Sequence, residues 1–202
     1  VAKVMGQDGR ISSKFLHPGP GFGGSCFPKD TKAFASLSRD KGLTMNTIEA
    51  AIETNQSQKN RMVNKMRDLL DGDFKDKQVA ILGLSFKPNT DDVRESASIE
   101  MISSIIADGG IVKAYDPIAN EMMKSIFNNI DYVDSWEEAC KNSDGVAIMT
   151  EWNEFRGISI TKLKKLLNAP ILLDTRNIFS IEKLIENNFT FDNVGRVKHN
   201  AH

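Results

Sequence analysis

Cysteine and histidine are scarce in this 202-residue chain. Two cysteines, Cys26 and Cys140, are too few to form a disulfide-rich scaffold, so we expect a reduced, cytoplasmic protein. The three histidines are scattered, and none combines with a cysteine at the spacing of a zinc site. The sequence therefore predicts no metal centre.

An excess of charge of one sign and long apolar runs are also missing. Lys plus Arg number 26 and Asp plus Glu number 27, which gives a net charge of −1. General nucleic-acid binding needs a strongly basic surface, so that class is not expected. No apolar run approaches the ~18 residues of a membrane span, and no signal peptide is visible. We therefore expect no nucleic-acid partner and no membrane association.

The first third of the chain is predicted to be helical around one glycine-rich segment. The opening Val1–Gly6 is typical of the last turn of a helix closed by glycine, and it does not begin with Met, so we expect a fragment or a processed piece. The density of glycine and proline in residues 10–27 argues against a helix there. One helix is expected from Pro28 to Gly42, and a long one over 46–70 with a polar middle at 53–61. Such a polar middle is typical of a helix that connects two packed bodies.

From Lys77 onward, short apolar runs alternate with amphipathic segments. The predicted strands are 79–84, 111–115, 132–133, 145–149 and 171–174, and the predicted helices are 98–107, 121–127, 136–142, 161–167 and 181–186. This alternation implies a parallel sheet covered on both faces. We therefore expect an α/β protein with a helical region over 1–75 and an α/β domain over 76–202.

The segment Gly19–Asp30 is the most informative in the chain, and one possible interpretation is a dinucleotide fingerprint. Its glycines at 19, 21 and 24 match the G-x-G-x-x-G spacing. However, no buried strand precedes them, and no strand-borne acid follows about twenty residues later. The context therefore argues against a dinucleotide site here.

Cys26 supports a different interpretation of the same segment. It precedes the helix expected at Pro28, where free backbone N–H groups and the helix dipole stabilise a thiolate. Asp30 follows about one helical turn later and could reach the same side. A thiolate beside a carboxylate suits covalent catalysis at a carbonyl, with the carboxylate handling a water. The alternative is a small buried hydrophobe, the commonest role of a free cysteine, and spacing alone leaves both open.

Several motifs in order resemble the nucleotide-sugar dehydrogenases of the UDP-glucose/GDP-mannose dehydrogenase family. The glycine segment GPGFGGSCFPKD is similar to that family's active-cysteine motif. The other matching segments are GRISSKFL (9–16), ILGLSFKPNTDDVRES (81–96), YDP (115–117), TEW (150–152) and DTR (174–176). The resemblance covers essentially the whole chain.

This resemblance implies a central helical region for dimerisation followed by a Rossmann-like, parallel-sheet UDP-binding domain. It also implies that the family's N-terminal NAD-binding domain is absent here, together with a lysine and an asparagine that assist the cysteine. The implied reaction oxidises UDP-glucose to UDP-glucuronate with two NAD, through a thiohemiacetal and then a thioester on Cys26. Asp30 would position the hydrolytic water. The isolated chain is expected to be inactive.

The resemblance also assigns roles to further residues. Arg94 would approach the NAD pyrophosphate, and Arg10 would come from the neighbouring subunit. The remaining residues expected at the UDP-sugar are Phe15, Leu16, Gly23, Phe27, Phe86, Lys87 and Arg176. Arg176 and Lys87 follow predicted strands, where open α/β sheets bind ligands, and arginine suits phosphate through its bidentate fork.

Two alternatives remain beside the UDP-glucose enzyme. One is a UDP-N-acetylhexosamine dehydrogenase, which the residues around the cysteine favour less. The other is a UDP-sugar-binding and dimerisation module without turnover. In each case we expect a homodimer through the long helix over 46–70, whose two apolar ends flank its polar middle.

Overall fold

The computed structural model describes residues 1–201, apart from the side chains of Lys14 and Phe15. The helical part comprises α1 (Ala2–Met5), a 3₁₀ turn (Ser13–Leu16), α2 (Cys26–Asp40) and α3 (Asn46–Leu69). Helix α2 begins at Cys26, two residues before the expected start, because Ser25 already has helical backbone angles. Pro28 fits the first turn because N–H groups there have no intrahelical partner.

Six parallel strands form a single sheet in the order β3-β2-β1-β4-β5-β6. The strands are β1 (Gln78–Leu82), β2 (Ile111–Tyr115), β3 (Asp131–Tyr132), β4 (Gly145–Ile148), β5 (Ile171–Asp174) and β6 (Thr190–Asn193). The connecting helices are α4 (Ala97–Ala107), α5 (Asn120–Lys124), α6 (Trp136–Cys140), α7 (Asn153–Arg156), α8 (Ile160–Leu166) and α9 (Ile181–Glu186). The predicted α/β class with a parallel sheet is confirmed.

Alternate residues of the sheet enter two separate apolar cores. In β1, Val79 and Ile81 face the core that contains α3 and α4, whereas Ala80 and Leu82 face the core that contains α6, α8 and α9. Side chains alternate between the two faces of a strand, so a strand buried on both faces is apolar throughout. The sheet is therefore a central layer with helices on both sides.

Helix α3 belongs to both parts of the molecule. Its second half covers the sheet with the buried side chains of Met62, Val63 and Met66. Lys65 ties the same half to β6 through Asp192, with 2.6 Å between Nζ and Oδ1. The first half of α3 packs against α2 instead. The division of the chain between residues 75 and 76 stays a prediction.

Three short elements, the 3₁₀ turn at Ser13–Leu16, α7 and β6, are not predicted from the sequence. Strand β6 carries one large apolar residue, Phe191, among polar neighbours. Its pairing with β5 and the burial of Asp192 against Lys65 come from tertiary contacts that periodicity does not reveal. Within residues 1–201, none of the helices is both long and apolar enough to span a bilayer.

Candidate functional site

The strand order reverses between β1 and β4, and in open α/β sheets ligands bind at the carboxyl ends of strands near such a point. The loops that follow β1 and β4 meet here, where the Thr150 hydroxyl donates to the Ser85 carbonyl at 2.5 Å. Gly83 has a φ of +96°, and a Cβ there would lie 2.5 Å from the Thr150 Cβ. Glycine at this position therefore permits the close contact between the two loops.

A buried carboxylate, that of Asp116, organises the loop after β1. Its Oδ2 accepts from the backbone N–H groups of Leu84 and Ser85 at 2.7 and 3.1 Å. The indole Nε1 of Trp152 donates to the same oxygen at 3.1 Å. Asp116 therefore fixes the start of the segment that carries Phe86 and Lys87. Asp116 belongs to the YDP motif, but the sequence alone indicates no role for it.

Arg176 is held at three points behind the glycine segment. Its Nε donates to the Met149 carbonyl at 2.8 Å, and its Nη2 donates to the Phe86 carbonyl at 3.1 Å. The same Nε lies 3.1 Å from Oε2 of Glu151, an ionic contact without a hydrogen bond to that oxygen. A Cβ at Gly19 would lie 3.2 Å from Nη1. The guanidinium is thus oriented with one edge towards the glycine segment.

Burial is the largest influence on the pKa values of Arg176 and Asp174, in the loop after β5. Burial lowers the pKa of the Arg176 guanidinium from its ordinary value, and Glu151 and Asp174 oppose this effect. Burial raises the pKa of Asp174, while hydrogen bonds from backbone N–H groups oppose the rise. Among these bonds, Oδ1 accepts from Arg176 N at 3.1 Å and Oδ2 from Phe179 N at 2.9 Å. Asp174 therefore shapes the turn that presents Arg176.

The glycines of the glycine segment, Gly19–Asp30, allow the backbone of residues 94–95 and the side chain of Phe86 to approach it closely. Gly24 N–H donates to the Arg94 carbonyl at 2.8 Å. A Cβ at Gly23 would lie 2.5 Å from the Glu95 carbonyl oxygen, and one at Gly24 would lie 2.8 Å from the Phe86 ring. The structure therefore brings the predicted residues Gly23 and Phe86 together.

Polar side chains of α3 hold the other side of the same segment. Asn55 Oδ1 accepts from Phe22 N–H at 2.7 Å, and its Nδ2 donates to the Phe22 carbonyl at 3.0 Å. Gln58 Nε2 donates to the Gly19 carbonyl at 3.0 Å. These residues lie in the polar middle of the long helix, which sequence analysis interpreted only as a connection. The only sequence signal for this role is that Asn55 and Gln58 are three residues apart, which places them on one face of the helix.

Lys59 and Glu95 complete this contact. Lys59 is only 5% exposed, and its Nζ donates to the Glu95 carbonyl at 2.9 Å and contacts Oε2 at 3.4 Å. The other carboxylate oxygen of Glu95 lies 2.6 Å from Lys32 Nζ on α2. The hydrogen bond from Lys32, followed by the charges of Lys59 and Lys32, holds the pKa of Glu95 below its usual value despite partial burial. The sequence alone indicates no role for any of these three residues.

The two predicted catalytic residues are both exposed. Cys26 is the first residue of α2, and its Sγ lies 3.6 Å from Ser25 Oγ. Asp30 follows four positions later on the same helix, with Oδ1 3.3 Å from Lys29 Nζ. Residues at this spacing share one helix face. Their exposure removes the alternative of Cys26 as a buried hydrophobe, whereas Cys140 is fully buried.

Two other predicted residues, Phe27 and Lys87, are also exposed. Phe27 is 59% exposed and packs edge-to-face on Phe22, with ring centroids 4.7 Å apart. Lys87 is exposed, and its Nζ lies 5.3 Å from the centroid of the Phe86 ring. An exposed cation here is free to meet an anionic ligand.

Arg94 presents a largely exposed guanidinium beside the cysteine segment. Its Nε and Nη2 donate to the two carboxylate oxygens of Asp92 at 2.9 and 2.8 Å. This hydrogen bonding to Asp92 raises the pKa of Arg94, and the nearby Cys26 contributes a smaller effect of the same sign. In the described part of the chain, no group of three or more His, Cys, Asp or Glu side chains is placed to hold a metal ion.

Three predicted residues are not brought to this cluster by the described contacts. Arg10 is exposed and pairs with Asp8, with 2.7 Å between Nη2 and Oδ2. Leu16 is half-buried in the 3₁₀ turn. The side chain of Phe15 lies outside the described residues. The assignment of Arg10 to a neighbouring subunit stays a prediction.

Two cavities flank Arg176. The first, of about 670 Å³, lies between the glycine segment and α3, and the second, of about 570 Å³, lies beside the loop after β5. Both are lined by His17 and Arg176. Arg156 and Arg196 add positive charge to the second, which is also lined by the carboxylate-bearing Glu151. Two adjoining spaces with a shared, oriented guanidinium can hold an elongated anionic ligand.

Comparisons with known proteins identify the domains to which this chain is related. The UDP-binding domain of the UDP-glucose/GDP-mannose dehydrogenase family matches residues 80–181, and the central domain of that family matches residues 1–57. The chain is 39% identical over 196 residues to a UDP-glucose 6-dehydrogenase of Rhizobium meliloti, covering 97% of this chain and 45% of that protein. It is 41% identical over 197 residues to the one of Rickettsia bellii, covering 96% of this chain and 45% of that protein.

A solved structure shows the same likeness. The UDP-glucose dehydrogenase of the hyperthermophilic archaeon Pyrobaculum islandicum superposes with a TM-score of 0.79 at 32% identity, over 90% of this chain and 40% of that one. The chain thus spans about half the length of the curated relatives it matches. Matched over its sheet domain and its helical region, the chain belongs to the UDP-glucose/GDP-mannose dehydrogenase family.

Proposed function

We propose that this chain forms the nucleophile and UDP-sugar site of an NAD-dependent UDP-glucose 6-dehydrogenase, which oxidises UDP-glucose to UDP-glucuronate. The observation that carries the proposal is the exposed thiol of Cys26 at the start of α2, one turn before the exposed carboxylate of Asp30. Relatives at 39% and 41% identity are named UDP-glucose 6-dehydrogenase, which favours this substrate.

Cys26 is the covalent catalyst of the second oxidation. It stands at the first turn of α2, where unpaired backbone N–H groups and the helix dipole attract negative charge. Sγ adds to the aldehyde carbon of the sugar, and the carbonyl oxygen takes up a proton to give a thiohemiacetal. Loss of a hydride from that carbon and of the proton from its hydroxyl group leaves a thioester on Cys26.

Asp30 acts on the water molecule that hydrolyses the thioester in the last step of the reaction. Its carboxylate accepts a proton as the water attacks the thioester carbonyl, the C–S bond breaks, and the sugar leaves as a carboxylic acid. The thiol of Cys26 is then restored. Asp30 suits this role because it is exposed and shares a helix face with Cys26.

One residue of this chain fits a contact to NAD. Arg94 holds an exposed, charged guanidinium beside the Cys26 segment, which suits an anionic dinucleotide. When bound, NAD accepts the hydride that the sugar loses in each of the two oxidations.

The diphosphate of the nucleotide sugar is assigned to Arg176 and Lys87. Arg176 is fixed by backbone carbonyls, so it binds without losing side-chain freedom. Lys87 adds an exposed positive charge near Phe86. The glycine segment, with Phe27 and Leu16, would line the sugar and diphosphate.

Variants of the full-length enzyme at the two cysteines test this function. Wild-type enzyme should release the acid, whereas Cys26→Ser should form none. Cys140→Ala serves as the matched control because Cys140 is buried in the apolar core and should leave acid formation intact. Acid formation that survives Cys26→Ser would overturn the proposed mechanism. Faster turnover with UDP-N-acetylmannosamine than with UDP-glucose would show that the substrate is a UDP-N-acetylhexosamine and not UDP-glucose.

A second candidate is a UDP-sugar-binding and dimerisation module without turnover by itself. It is favoured by the matches of residues 80–181 to a UDP-binding domain and of residues 1–57 to a central domain. We place the dimer contact at α3, beside the exposed apolar residues Phe34 and Leu37 of α2. NADH formation by the 202-residue chain would refute the module, and a monomer mass in light scattering would refute the dimer.

A further inference from the structure

Polar side chains in the middle of α3 form hydrogen bonds with backbone groups of the glycine segment. Asn55, Gln58 and Lys59 recur at i, i+3 and i+4, so they share one helix face. A lysine that is 5% exposed requires polar partners, since an unpaired buried charge is strongly unfavourable. The backbone partners of these three side chains indicate a function for the middle of α3 beyond connecting the helical region to the sheet domain.

We propose that Asn55 and Lys59 are positioning residues for the Cys26 nucleophile. This inference rests on the proposed function, in which Cys26 attacks an aldehyde. Neither side chain is placed in contact with the reacting atoms. They act by fixing the backbone of the segment that leads into α2.

Asn55 satisfies both backbone polar groups of Phe22, four residues before Cys26. Phe22 N–H donates to Oδ1 at 2.7 Å, and Nδ2 donates to the Phe22 carbonyl at 3.0 Å. The segment has no regular secondary structure at this point, so the amide supplies the partners that a neighbouring strand would otherwise give. Gly21 allows this approach, because a Cβ there would lie 2.8 Å from Oδ1.

Lys59 fixes the opposite wall of the segment through Glu95. Glu95 has a φ of +54°, a left-handed conformation that is unfavourable for a glutamate. The bond from Lys59 Nζ to the Glu95 carbonyl and the contact of Lys32 with its carboxylate stabilise this conformation. The preceding carbonyl, that of Arg94, then accepts from Gly24 N–H.

The two contacts enclose residues 21–25 between α3 and the loop before α4. Cys26 follows directly, so its position relative to the sugar depends on this enclosure. A displacement of about 1 Å at a reacting group can lower a rate about 100-fold. Loss of either contact should therefore slow the thiohemiacetal step more than it weakens substrate binding.

The first experiment compares Asn55→Ala with Asn60→Ala in the full-length enzyme. Asn60 lies on the same helix, is exposed, and contacts only Gln56 among the described hydrogen bonds. Acid formation is measured from the UDP-sugar aldehyde, and amide hydrogen exchange is followed in peptides covering residues 19–27. We expect Asn55→Ala to lower kcat about tenfold or more with KM changed less than about threefold, and to speed exchange at Phe22. Asn60→Ala should match wild type.

Two results would overturn the inference. The first is an Asn55→Ala enzyme that matches Asn60→Ala in both kcat and exchange. The second is a raised KM with an unchanged kcat, which would make Asn55 a binding residue. If wild-type acid formation depends on Cys26 but not on Asn55, only this inference fails. If acid formation does not depend on Cys26, the proposed function fails as well.

Lys59 provides a second, independent pair of variants if Asn55→Ala does not fold. Lys59→Arg keeps a donor for the Glu95 carbonyl, whereas Lys59→Met keeps the length of the side chain without charge. We expect Lys59→Arg to retain most of kcat and Lys59→Met to lose about tenfold, compared at temperatures where both are folded. Equal kcat values for the two variants would contradict the assignment of Lys59.

Discussion

The indole of Trp152 donates to the carboxylate of Asp116 at 3.1 Å and so links the loop after β4 to the loop after β2. The same oxygen accepts from Leu84 N and from the hydroxyl of Ser85 in the loop after β1. One buried carboxylate therefore joins three loops at the carboxyl edge of the sheet. The position of Phe86 and Lys87 depends on it, because both follow Ser85 directly.

Removal of this carboxylate should be among the most destabilising changes in the sheet domain. Asp116→Ala leaves several buried N–H groups without a partner, and each such group costs about 1–3 kcal/mol. We expect the free energy of unfolding to fall by about 3 kcal/mol or more in urea titrations. Asp134→Ala is the control, because Asp134 is exposed. A loss as small as that of the control would show that these N–H groups find water instead.

The contact between Gly24 and Phe86 predicts a difference between two glycines of similar backbone conformation. Gly24 has a φ of +87° and Gly42 a φ of +73°, so alanine is strained at both. A Cβ at Gly42 has no neighbour within 4 Å, whereas one at Gly24 meets the Phe86 ring at 2.8 Å. Gly42→Ala should cost about 1 kcal/mol and Gly24→Ala about 1–3 kcal/mol more. Equal losses in thermal unfolding would mean that Phe86 moves aside freely.

Arg176 should supply a large part of the affinity for the nucleotide. A charge-assisted hydrogen bond contributes about 1.5–3 kcal/mol, so Arg176→Ala should weaken binding of UDP about tenfold to 100-fold. The change is measured by calorimetric titration of the protein with UDP. Arg61→Ala, at an exposed position of α3, should bind as wild type does. Unchanged affinity in Arg176→Ala would place the diphosphate elsewhere.

The secondary structure was largely predictable because strands buried on both faces leave continuous apolar runs. Val79–Leu82 and Gly145–Ile148 are fully buried, and their apolar composition reveals them directly. Strand β6 could not be found in this way, since it has one large apolar residue and its buried Asp192 is paired with Lys65, far away in sequence. Long-range pairing of this kind leaves no local pattern.

The candidate site was predictable only in part, for a similar reason. Cys26 and Asp30 stand out because four glycines closely precede Cys26 and the spacing of the two residues fits one helical turn. Asn55 and Lys59 look like solvent-facing residues of an amphipathic helix, and their partners are backbone groups that any sequence possesses. Side chains that bind backbone cannot be matched to partners by residue type alone.

The ion pairs of Glu95 predict a pH dependence of stability. The folded pKa of Glu95 lies below the usual 4.5, so its contribution to stability is present above that pH. The contribution is lost as the pH falls through the lowered folded pKa. Glu95→Gln should therefore be less stable than wild type at pH 7, and the difference should shrink in acid. Glu53→Gln, at an exposed position of α3, should show no such difference. A difference that stays constant with pH would contradict the ionic role.

The two tyrosines of the chain, Tyr115 and Tyr132, should both resist ionisation. Burial raises the pKa of each from 10.0 to about 12, and for Tyr115 the hydrogen bond to Glu154 adds to the effect. Because these folded pKa values are raised, the stability they confer is intact below pH 10 and declines as the pH rises towards 12. Ultraviolet absorbance of the folded chain should show almost no tyrosinate at pH 10, whereas the chain in urea should titrate normally. Glu154→Gln should lower the pKa of Tyr115 only partly, since burial is the larger cause. A tyrosine that titrates normally in the folded wild-type chain would mean that its ring is exposed to solvent.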